Sequence, residues 1–307
     1  MRYGMSLRSS TRELSGYLDM IQRYEEYGLD SAWCAQLFGL DALTLFALAG
    51  ATTSRIRMGT AVIPTYSRHP LVLASHALTT QAATGNRLLL GIGSSHEALV
   101  KGVLGADYSR PAAYLREYLT VLPGLLRGER LEYDGERLHV DSTSRFGRAG
   151  GLGSEAPPVY VGTMFPISLR ITGQLADGVV TWLCGPQTFT DVVLPNRHDA
   201  ATEAGRDRPR VVASIPMALC AAADVDGQRD QVDRQLETFV SLPVYQQVLE
   251  REGASGPSGL AAIGDEETIA ARIAEFADAG VDEISGVCFG DDATLHRTAE
   301  FLGRLAR

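Results

Sequence analysis

The sequence predicts an α/β protein of the (β/α)8 TIM-barrel class, and three observations carry that prediction. Short apolar runs alternate with longer segments of helical pattern along almost the whole chain. Eight such units occur in 307 residues, and the last ends in a helix over Leu295–Leu305. Strands that each lead into a helix run parallel with right-handed crossovers. An open doubly wound sheet obeys the same rule, but eight units in this length fit the barrel better.

The candidate strands are apolar runs bounded by turn residues. They lie at Tyr3–Leu7, Ser31–Ala35, Arg57–Ile63, Arg87–Ile92, Val159–Gly162, Gly178–Trp182, Val211–Ala222 and Glu283–Phe289. The helical segments between them include Arg12–Tyr27, Ala42–Ala51, Leu71–Ala83, Ala112–Leu126, Ile167–Leu175, Gln228–Ser241 and Glu266–Ala279. Gly28 and Gly280 each end a helix and lead the chain into a strand, as parallel strand–helix units require.

No linker or shift in composition divides the chain, so we predict one domain over residues 1–307 with two insertions. Residues 128–157 contain a predicted hairpin followed by a loop rich in glycine and arginine. Residues 242–262 contain a short helical segment around Pro243–Glu252 and a second glycine-rich loop. Long loops in compact domains are usually functional or mobile, so we expect both insertions at the C-terminal mouth of the barrel.

The composition is that of a water-soluble globular protein, with 45% hydrophobic and 21% charged residues. The net charge of −9 argues against a general nucleic-acid binder. The N-terminus carries no basic region followed by an apolar run, and no stretch is apolar enough to cross a membrane. We therefore expect a cytoplasmic protein. Its four cysteines form no C-x-x-C pair, and we interpret them as reduced core residues.

The most informative stretch is the apolar run that ends in Gly91-Ile-Gly93-Ser94-Ser95-His96. Backbone N–H groups at the start of the next helix can bind a phosphate there, and the active site of a barrel lies at such strand ends. The pattern is not a dinucleotide fingerprint, because His96 replaces its last glycine. A plain tight turn explains it equally well. Gly162-Thr163-Met164 offers the same arrangement after another strand, which strengthens the case for an anion site.

Pro64 forces the chain to leave the sheet, and Arg68 and His69 follow it. These two side chains either serve the site or simply cap a helix. The sequence has no catalytic triad, zinc-ligand spacing, Walker loop or H-E-x-x-H, so we predict no metal site. A barrel with anion loops and few acids or bases indicates that a cofactor carries the chemistry.

These stretches together resemble the luciferase-like monooxygenase superfamily, and within it the F420 (deazaflavin) branch, similar to methylenetetrahydromethanopterin reductase. The resemblance covers nearly the whole chain. Its motifs are Ser31-Ala-Trp33 with Gln36 and Asp41-Ala-Leu, Ile56-Arg-Met-Gly59-Thr-Ala-Val62 with Arg68-His69-Pro70, Asn86-Arg87-Leu-Leu-Leu-Gly91-Ile-Gly93, Gly173-Gln-Leu-Ala176-Asp177-Gly178, and Val244-Tyr245 followed by Leu249-Glu250-Arg251-Glu252-Gly253.

The resemblance implies a strand bulge with a non-prolyl cis peptide, which by position falls at Ala61–Val62. It also implies cofactor-binding residues, at Gln36, Ala61, Val62, Gly93, Ser94, Ser95, Gly162, Thr163 and Met164. One departure matters: sugar-phosphate dehydrogenases of the family carry an Asp-His pair where this chain reads Gln36-Leu37. We reject that substrate assignment, because the general base is missing.

The resemblance therefore favours an F420-dependent oxidoreductase that passes a hydride to a C=C or C=N bond of a small organic substrate. His96 is the candidate catalytic residue, either as proton donor and substrate hydrogen-bonder or in phosphate binding. One alternative is an FMN-dependent monooxygenase, and a second is a non-catalytic flavin-binding protein. Arg145 and Arg148 either bind the acidic tail of F420 or lie in a solvated loop. Relatives of this kind are often dimers, so a homodimer is expected by analogy.

Overall fold

The computed structural model describes residues 1–7, 13–36, 38–144 and 152–307. Its strands are β1 Arg2–Ser6, β2 Ser31–Cys34, β3 Arg57–Thr60, β4 Ile63–Pro64, β5 Leu88–Gly93, β6 Glu132–Asp134, β7 His139–Asp141, β8 Val159–Gly162, β9 Gly178–Trp182, β10 Arg210–Leu219, β11 Ala262–Gly264 and β12 Glu283–Val287. Its helices are α1 Leu14–Tyr27, α2 Ala42–Ala49, α3 Pro70–Ala83, α4 Glu97–Gly102, α5 Pro111–Leu126, α6 Pro166–Leu175, α7 Pro186–Thr188, α8 Leu194–Glu203, α9 Val225–Val240, α10 Pro243–Glu252, α11 Glu266–Asp278 and α12 Asp292–Leu305.

The chain divides into two compact units. Unit 1 comprises Met1–Trp33, Val180–Asn196 and Arg210–Arg307, and unit 2 comprises Cys34–Val179 and Arg197–Pro209. The single domain predicted over residues 1–307 stays a prediction.

Unit 1 contains a parallel sheet in which β1 lies between β12 and β2. Met5 is paired with Gly286 on β12 and with Ala32 on β2, and β10 continues the sheet on the far side of β12. A buried polar contact crosses this sheet, because Trp33 Nε1 donates to Glu283 Oε1 over 2.8 Å. The core of unit 1 is therefore built on parallel strands, as the alternation of strand and helix predicts.

Turn and cap residues explain where the helices of unit 1 begin and end. Gly28 and Gly280 have φ angles of 98° and 82°, a region that glycine adopts without the steric cost of a Cβ. Asp265 accepts a hydrogen bond from the Thr268 N–H over 2.9 Å and so caps α11. Asp291 caps α12 in the same way. The predicted glycine punctuation is confirmed.

Unit 2 contains a second run of parallel strands with β5 at its centre. Gly59 on β3 is paired with Leu89, whereas Ile63 on β4 is paired with Ile92. The chain advances four residues from Gly59 to Ile63 but only three from Leu89 to Ile92. The β3–β4 side therefore contains a bulge of one extra residue. On its other side β5 pairs with β8, where Gly91 faces Tyr160.

Most of the sequence-predicted elements are present with small shifts. The hairpin of the first insertion is confirmed as β6 and β7, and the helix of the second is α10. The predicted strand Val211–Ala222 is wrong at its end, because β10 stops at Leu219. The pattern did not reveal β11, α4 or α8. Arg12, Leu37, Arg145 and Arg148, on which predictions were made, lie outside the described residues.

Candidate active site

The end of the third predicted strand is the structural centre of the candidate site in unit 2. A cis peptide bond joins Ala61 to Val62, so the non-prolyl cis bond that the resemblance implied is confirmed. The Ala61 N–H donates to the Cys34 carbonyl over 2.8 Å. The buried Thr60 hydroxyl donates to the Gly91 carbonyl (2.7 Å) and accepts from the Gly91 N–H (2.8 Å). These contacts fix the bulge against β5.

Glycines on the two adjoining strands make room for the bulge. A Cβ at Gly91 would lie 1.8 Å from the Thr60 carbonyl oxygen. A Cβ at Gly93 or at Gly162 would lie 2.7 Å or 2.9 Å from the Val62 side chain. No side chain fits in those gaps, so the repeated glycines have a steric cause. Val62, Gly93 and Gly162, which sequence reasoning assigned to cofactor binding, are thus brought into one packed group.

The loop after β5 follows directly from this group. Ser95 adopts a left-handed φ of 61°, which is uncommon for a residue with a Cβ and occurs preferentially at functional sites. Its carbonyl accepts a hydrogen bond from the Tyr108 hydroxyl over 2.8 Å, while Ser94 and Ser95 stay half-exposed. The loop is therefore fixed by its carbonyl and keeps both serine side chains partly accessible.

His96 stands at the N-cap of α4 and is exposed. Although its surface is accessible, desolvation by the protein around the imidazole lowers the pKa of His96 below its ordinary value. The ring is then neutral at neutral pH, where one nitrogen donates and the other accepts a hydrogen bond. It suits a hydrogen bond to a substrate better than an ion pair with a phosphate.

Gly162 is the last residue of β8, and Thr163 and Met164 begin the loop that follows it. All three are half-buried, and the Thr163 hydroxyl accepts a hydrogen bond from the Phe165 N–H over 3.2 Å. Among the described residues, Phe165 makes no side-chain cap to the start of α6, which begins with Pro166. The first N–H groups of a helix form a natural anion site when no side chain caps them.

Gln36 does not present a free amide. Its Oε1 accepts from the Ala42 N–H (2.8 Å) and its Nε2 donates to the Leu40 carbonyl (2.9 Å). The side chain therefore closes the loop that leads into α2. A role for Gln36 beside a cofactor ring stays a prediction.

Arg68 and His69 stabilise the starts of helices, as the helix-capping alternative predicts. Arg68 forms an ion pair with Asp41, the residue that caps α2. Burial acts to raise the pKa of Asp41, but hydrogen bonds from Thr44 and the charge of Arg68 outweigh it and hold that pKa below its usual value. His69 caps α3, because its Nδ1 accepts from the Leu71 N–H over 3.3 Å.

Sequence reasoning missed a tyrosine cluster beside this site. Tyr66 lies in the turn Thr65–Ser67 just after β4. Its ring stacks on Tyr114 at 4.5 Å between ring centroids and lies 5.5 Å from the ring of Tyr108. The sequence pattern predicts Tyr114 in a helix and Tyr108 in the preceding loop, and it gives neither residue a functional role. A contact between residues so distant in sequence leaves no signal in a local pattern.

The strand ends of unit 1 are of a different kind. The Trp182 ring, at the end of β9, lies 6.4 Å from those of Phe239 and Phe289. Just beyond it, the Glu252 carboxylate accepts from both the N–H and the hydroxyl of Thr188, each over 2.6 Å. These strand ends offer aromatic surface and a carboxylate already engaged in hydrogen bonds.

The part of the chain that the structure describes shows neither a metal site nor an activated cysteine. No group of three or more His, Cys, Asp or Glu side chains there is placed to hold a metal ion. Cys34, Cys184, Cys220 and Cys288 are buried free thiols. Burial raises the pKa of Cys34 to about 12, which makes it a poor nucleophile. No described helix combines the length and apolarity needed to span a membrane.

Comparison with known proteins places this geometry in context. A model of the family described as luciferase-like monooxygenase matches residues 1–283. The 5,10-methylenetetrahydromethanopterin reductase of Methanopyrus kandleri is 27% identical over 249 residues, which cover 76% of this chain and 70% of the relative. The F420-dependent glucose-6-phosphate dehydrogenase of Nakamurella multipartita is 26% identical over 279 residues, which cover 87% and 79%.

Solved structures show the same fold. The coenzyme F420-dependent tetrahydromethanopterin reductase from Methanopyrus kandleri matches with a TM-score of 0.84 at 22% identity, covering 99% of this chain and 97% of that one. The FMN complex of the oxygenating constituent of 3,6-diketocamphane monooxygenase from Pseudomonas putida matches with a TM-score of 0.76 at 16% identity, covering 99% and 97%. The predicted (β/α)8 TIM-barrel class is confirmed.

Proposed function

Because the chain belongs to the luciferase-like monooxygenase family, we propose that it is an F420-dependent oxidoreductase that transfers a hydride between the deazaflavin and a small organic substrate. Two similar proteins, one named as a methylenetetrahydromethanopterin reductase and one as an F420-dependent dehydrogenase, support this choice of cofactor. Their names describe two different reactions, so the substrate has to be inferred from the residues of this chain.

The observation that carries the proposal is the bulge at Ala61–Val62 and its glycine surroundings. A Cβ added at Gly91, Gly93 or Gly162 would collide with Thr60 or Val62, so only glycine allows these strands to pack against the bulge. The atoms that such a Cβ would meet belong to backbone and to the apolar Val62 side chain. We propose that the ring of the cofactor lies against this bulge.

The phosphate of the cofactor has fitting partners in the same unit. Backbone N–H groups of the Gly93–Ser95 loop and of the start of α6 are donors, and the Ser94, Ser95 and Thr163 hydroxyls add to them. The left-handed Ser95 turns the chain so that consecutive N–H groups can face one anion. The pattern suits F420 and FMN alike.

When bound, F420 supplies two-electron hydride chemistry, because a carbon replaces the N5 atom of a flavin. The residues of this chain bind and orient it, and they handle the proton. His96 is neutral near pH 7, since its pKa is lowered. We assign it a hydrogen bond to the substrate and a share in proton delivery.

We infer the direction of the reaction from the absence of a general base at Gln36, just after the second strand. Gln36 stands where sugar-phosphate dehydrogenases of the family carry the pair with the general base, and its amide is engaged by Leu40 and Ala42. Oxidation of an alcohol needs a base to remove its proton, whereas reduction does not. We therefore propose reduction of a C=C or C=N bond.

A second candidate function is an FMN-dependent monooxygenase. The fold likeness to the FMN-bound camphane monooxygenase constituent favours it, since the same loops accept an FMN phosphate. The two candidates differ in their use of oxygen. Reduced flavin reacts with oxygen to form the oxygenating species, and reduced deazaflavin does not.

The test is a turnover assay with reduced F420 and a panel of enones and imines, run with and without oxygen. The proposal expects substrate-dependent oxidation of the cofactor that is equally fast without oxygen. His96→Gln should lower the rate of the reductive step and leave cofactor affinity unchanged. Oxidation that requires oxygen and yields an oxygenated product would support the monooxygenase instead.

A further inference from the structure

The tyrosine cluster of unit 2 holds a buried hydroxyl that has no hydrogen-bond partner among the described residues. It belongs to Tyr66, whose oxygen is excluded from solvent. The rings of Tyr114 and Tyr108 lie on it at 4.5 Å and 5.5 Å, so the position of the phenol is fixed. Buried polar groups are rarely left without a partner in folded proteins.

The cluster adjoins the loop to which we assign phosphate binding. The Tyr108 hydroxyl donates to the Ser95 carbonyl over 2.8 Å, and the ring of the same tyrosine contacts Tyr66. The unpartnered phenol is therefore linked through a single residue to the Ser95 loop.

A second unpartnered donor comes from the hairpin of the first insertion. Arg137 lies in the turn between β6 and β7, where its backbone N–H is held by the Glu117 carboxylate (3.1 Å). Its Nη1 donates to Asp107 over 2.9 Å, and its Nη2 donates to Ser109. The Nε is buried and has no partner in the described part of the chain. The guanidinium is thus held in place with one donor left over.

Both donors lie beside the Asp107–Tyr108 segment, because the Tyr108 ring contacts Tyr66 and Asp107 accepts from Arg137. Neither donor atom has an acceptor among the described residues. Burial and the neighbouring tyrosines raise the pKa of Tyr66 to about 12, while the charge of Arg137 opposes that rise. The phenol therefore keeps its proton and remains a donor. Asp107, the carboxylate that Arg137 contacts, already accepts from Ser109 and from Arg137.

We propose that Tyr66 Oη and Arg137 Nε form a donor pair for an anionic oxygen of a bound ligand, beside the Ser95 loop. Arginine and hydroxyl donors bind phosphate and carboxylate oxygens strongly. Two sources carry this chemistry: the phosphate or acidic tail of the cofactor, and a carboxylate on the substrate. In its choice of ligand the inference rests on the proposed function.

The experiment measures affinity for ligands that differ only in the anionic part. F420, and the same deazaflavin lacking the phosphate and tail, are titrated by fluorescence into the wild type, Tyr66→Phe and Arg137→Lys. The phenylalanine keeps the stacked ring, and the lysine keeps a charge for Asp107 while removing Nε. Tyr133→Phe on β6 and Arg116→Lys on α5 serve as matched controls.

If the cofactor is the source, both variants bind F420 about tenfold more weakly or worse, because a hydrogen bond to a charged group is lost. The phosphate-free deazaflavin then binds all variants equally, and the controls match the wild type. If the substrate is the source, cofactor affinities stay equal, and benzoate added to the cofactor-loaded protein binds about tenfold more weakly to both variants.

Two results would overturn the donor pair. In the first, the wild type and both variants bind F420 equally well and also bind benzoate equally well. In the second, they bind F420 equally well and the wild type does not bind benzoate. The proposed function fails separately, if the wild type binds neither F420 nor FMN. In that case the pair is tested with inorganic phosphate by calorimetry. Phosphate binding that is absent, or equal in the wild type and both variants, overturns it.

Discussion

The strand ends of the two units offer different chemistry. In unit 2 they carry glycines, serines and a threonine, with backbone packed so tightly that a Cβ at Gly91 would lie 1.8 Å from a carbonyl oxygen. In unit 1, Trp182 and Phe289 lie at strand ends, and the Trp182 ring also contacts Phe239 of α9. The polar group nearby, Glu252, is committed to the N–H and hydroxyl of Thr188.

This difference indicates which unit binds an anionic cofactor. Backbone N–H groups and small hydroxyls are suited to a phosphate, whereas an aromatic surface and a carboxylate are not. We infer that substitutions at the strand ends of unit 2 change cofactor affinity, and that equivalent ones in unit 1 change stability alone. The following substitutions test that division.

The largest effect is expected at Gly91. In Gly91→Ala the new methyl meets backbone of Thr60, which cannot move aside as a side chain can. We expect the free energy of unfolding to fall by about 3 kcal/mol, the upper end of overpacking costs. Urea unfolding measures it. Gly102→Ala is the control, since a Cβ there meets nothing within 4 Å; equal stability of the two variants would show that the bulge is not tightly packed.

The next effect belongs to unit 1. Glu252→Ala removes an acceptor of two 2.6 Å hydrogen bonds from Thr188. Loss of hydrogen bonds to a charged group should lower the free energy of unfolding by about 2 kcal/mol. F420 affinity of the folded variant should not change. Weaker F420 binding by a fully folded Glu252→Ala protein would contradict the division between the units.

A smaller effect, on affinity rather than stability, is expected in unit 2. Ser94→Ala removes a half-exposed hydroxyl from the loop after β5. We expect F420 to bind about tenfold more weakly, equivalent to about 1.4 kcal/mol. Ser241→Ala in unit 1 is the matched control and should leave affinity as it is. If both variants bind like the wild type, the loop does not contact the phosphate.

The smallest effect concerns pH. The folded-state pKa of His96 is lowered by desolvation, so the unfolded chain takes up this proton first as the pH falls. The wild type should therefore lose stability between about pH 7 and pH 5, as the unfolded-state pKa of about 6.5 is passed. His96→Gln should lose less over the same range. Identical pH profiles of thermal unfolding would show that His96 titrates normally.

The fold followed from the sequence because its signals are local. Apolar runs of strand length and the glycines at 28 and 280 indicate parallel strand–helix units without knowledge of any contact. The sequence pattern did not reveal elements that are very short or strands that are interrupted. Residues 262–264 form a strand too short to be recognised, and Ala61–Val62 interrupts a strand that the apolar pattern predicts as continuous.

The candidate site was predictable only in part, for the same reason. The loops after β5 and β8 could be found because small residues follow an apolar run in the sequence. The cis bond was reached through the resemblance to a family and not from the residues themselves. The contacts of Tyr66 with Tyr114 and of Arg137 with Asp107 required the structure, since only folding brings these residues together.

The most direct test of the central claim is a fluorescence titration of F420 and FMN, side by side, into the apo-protein. The proposed deazaflavin site predicts micromolar or tighter binding of F420 and much weaker binding of FMN. The reverse order of affinities would contradict it, would assign the chain to flavin chemistry, and would make oxygen the co-substrate to test.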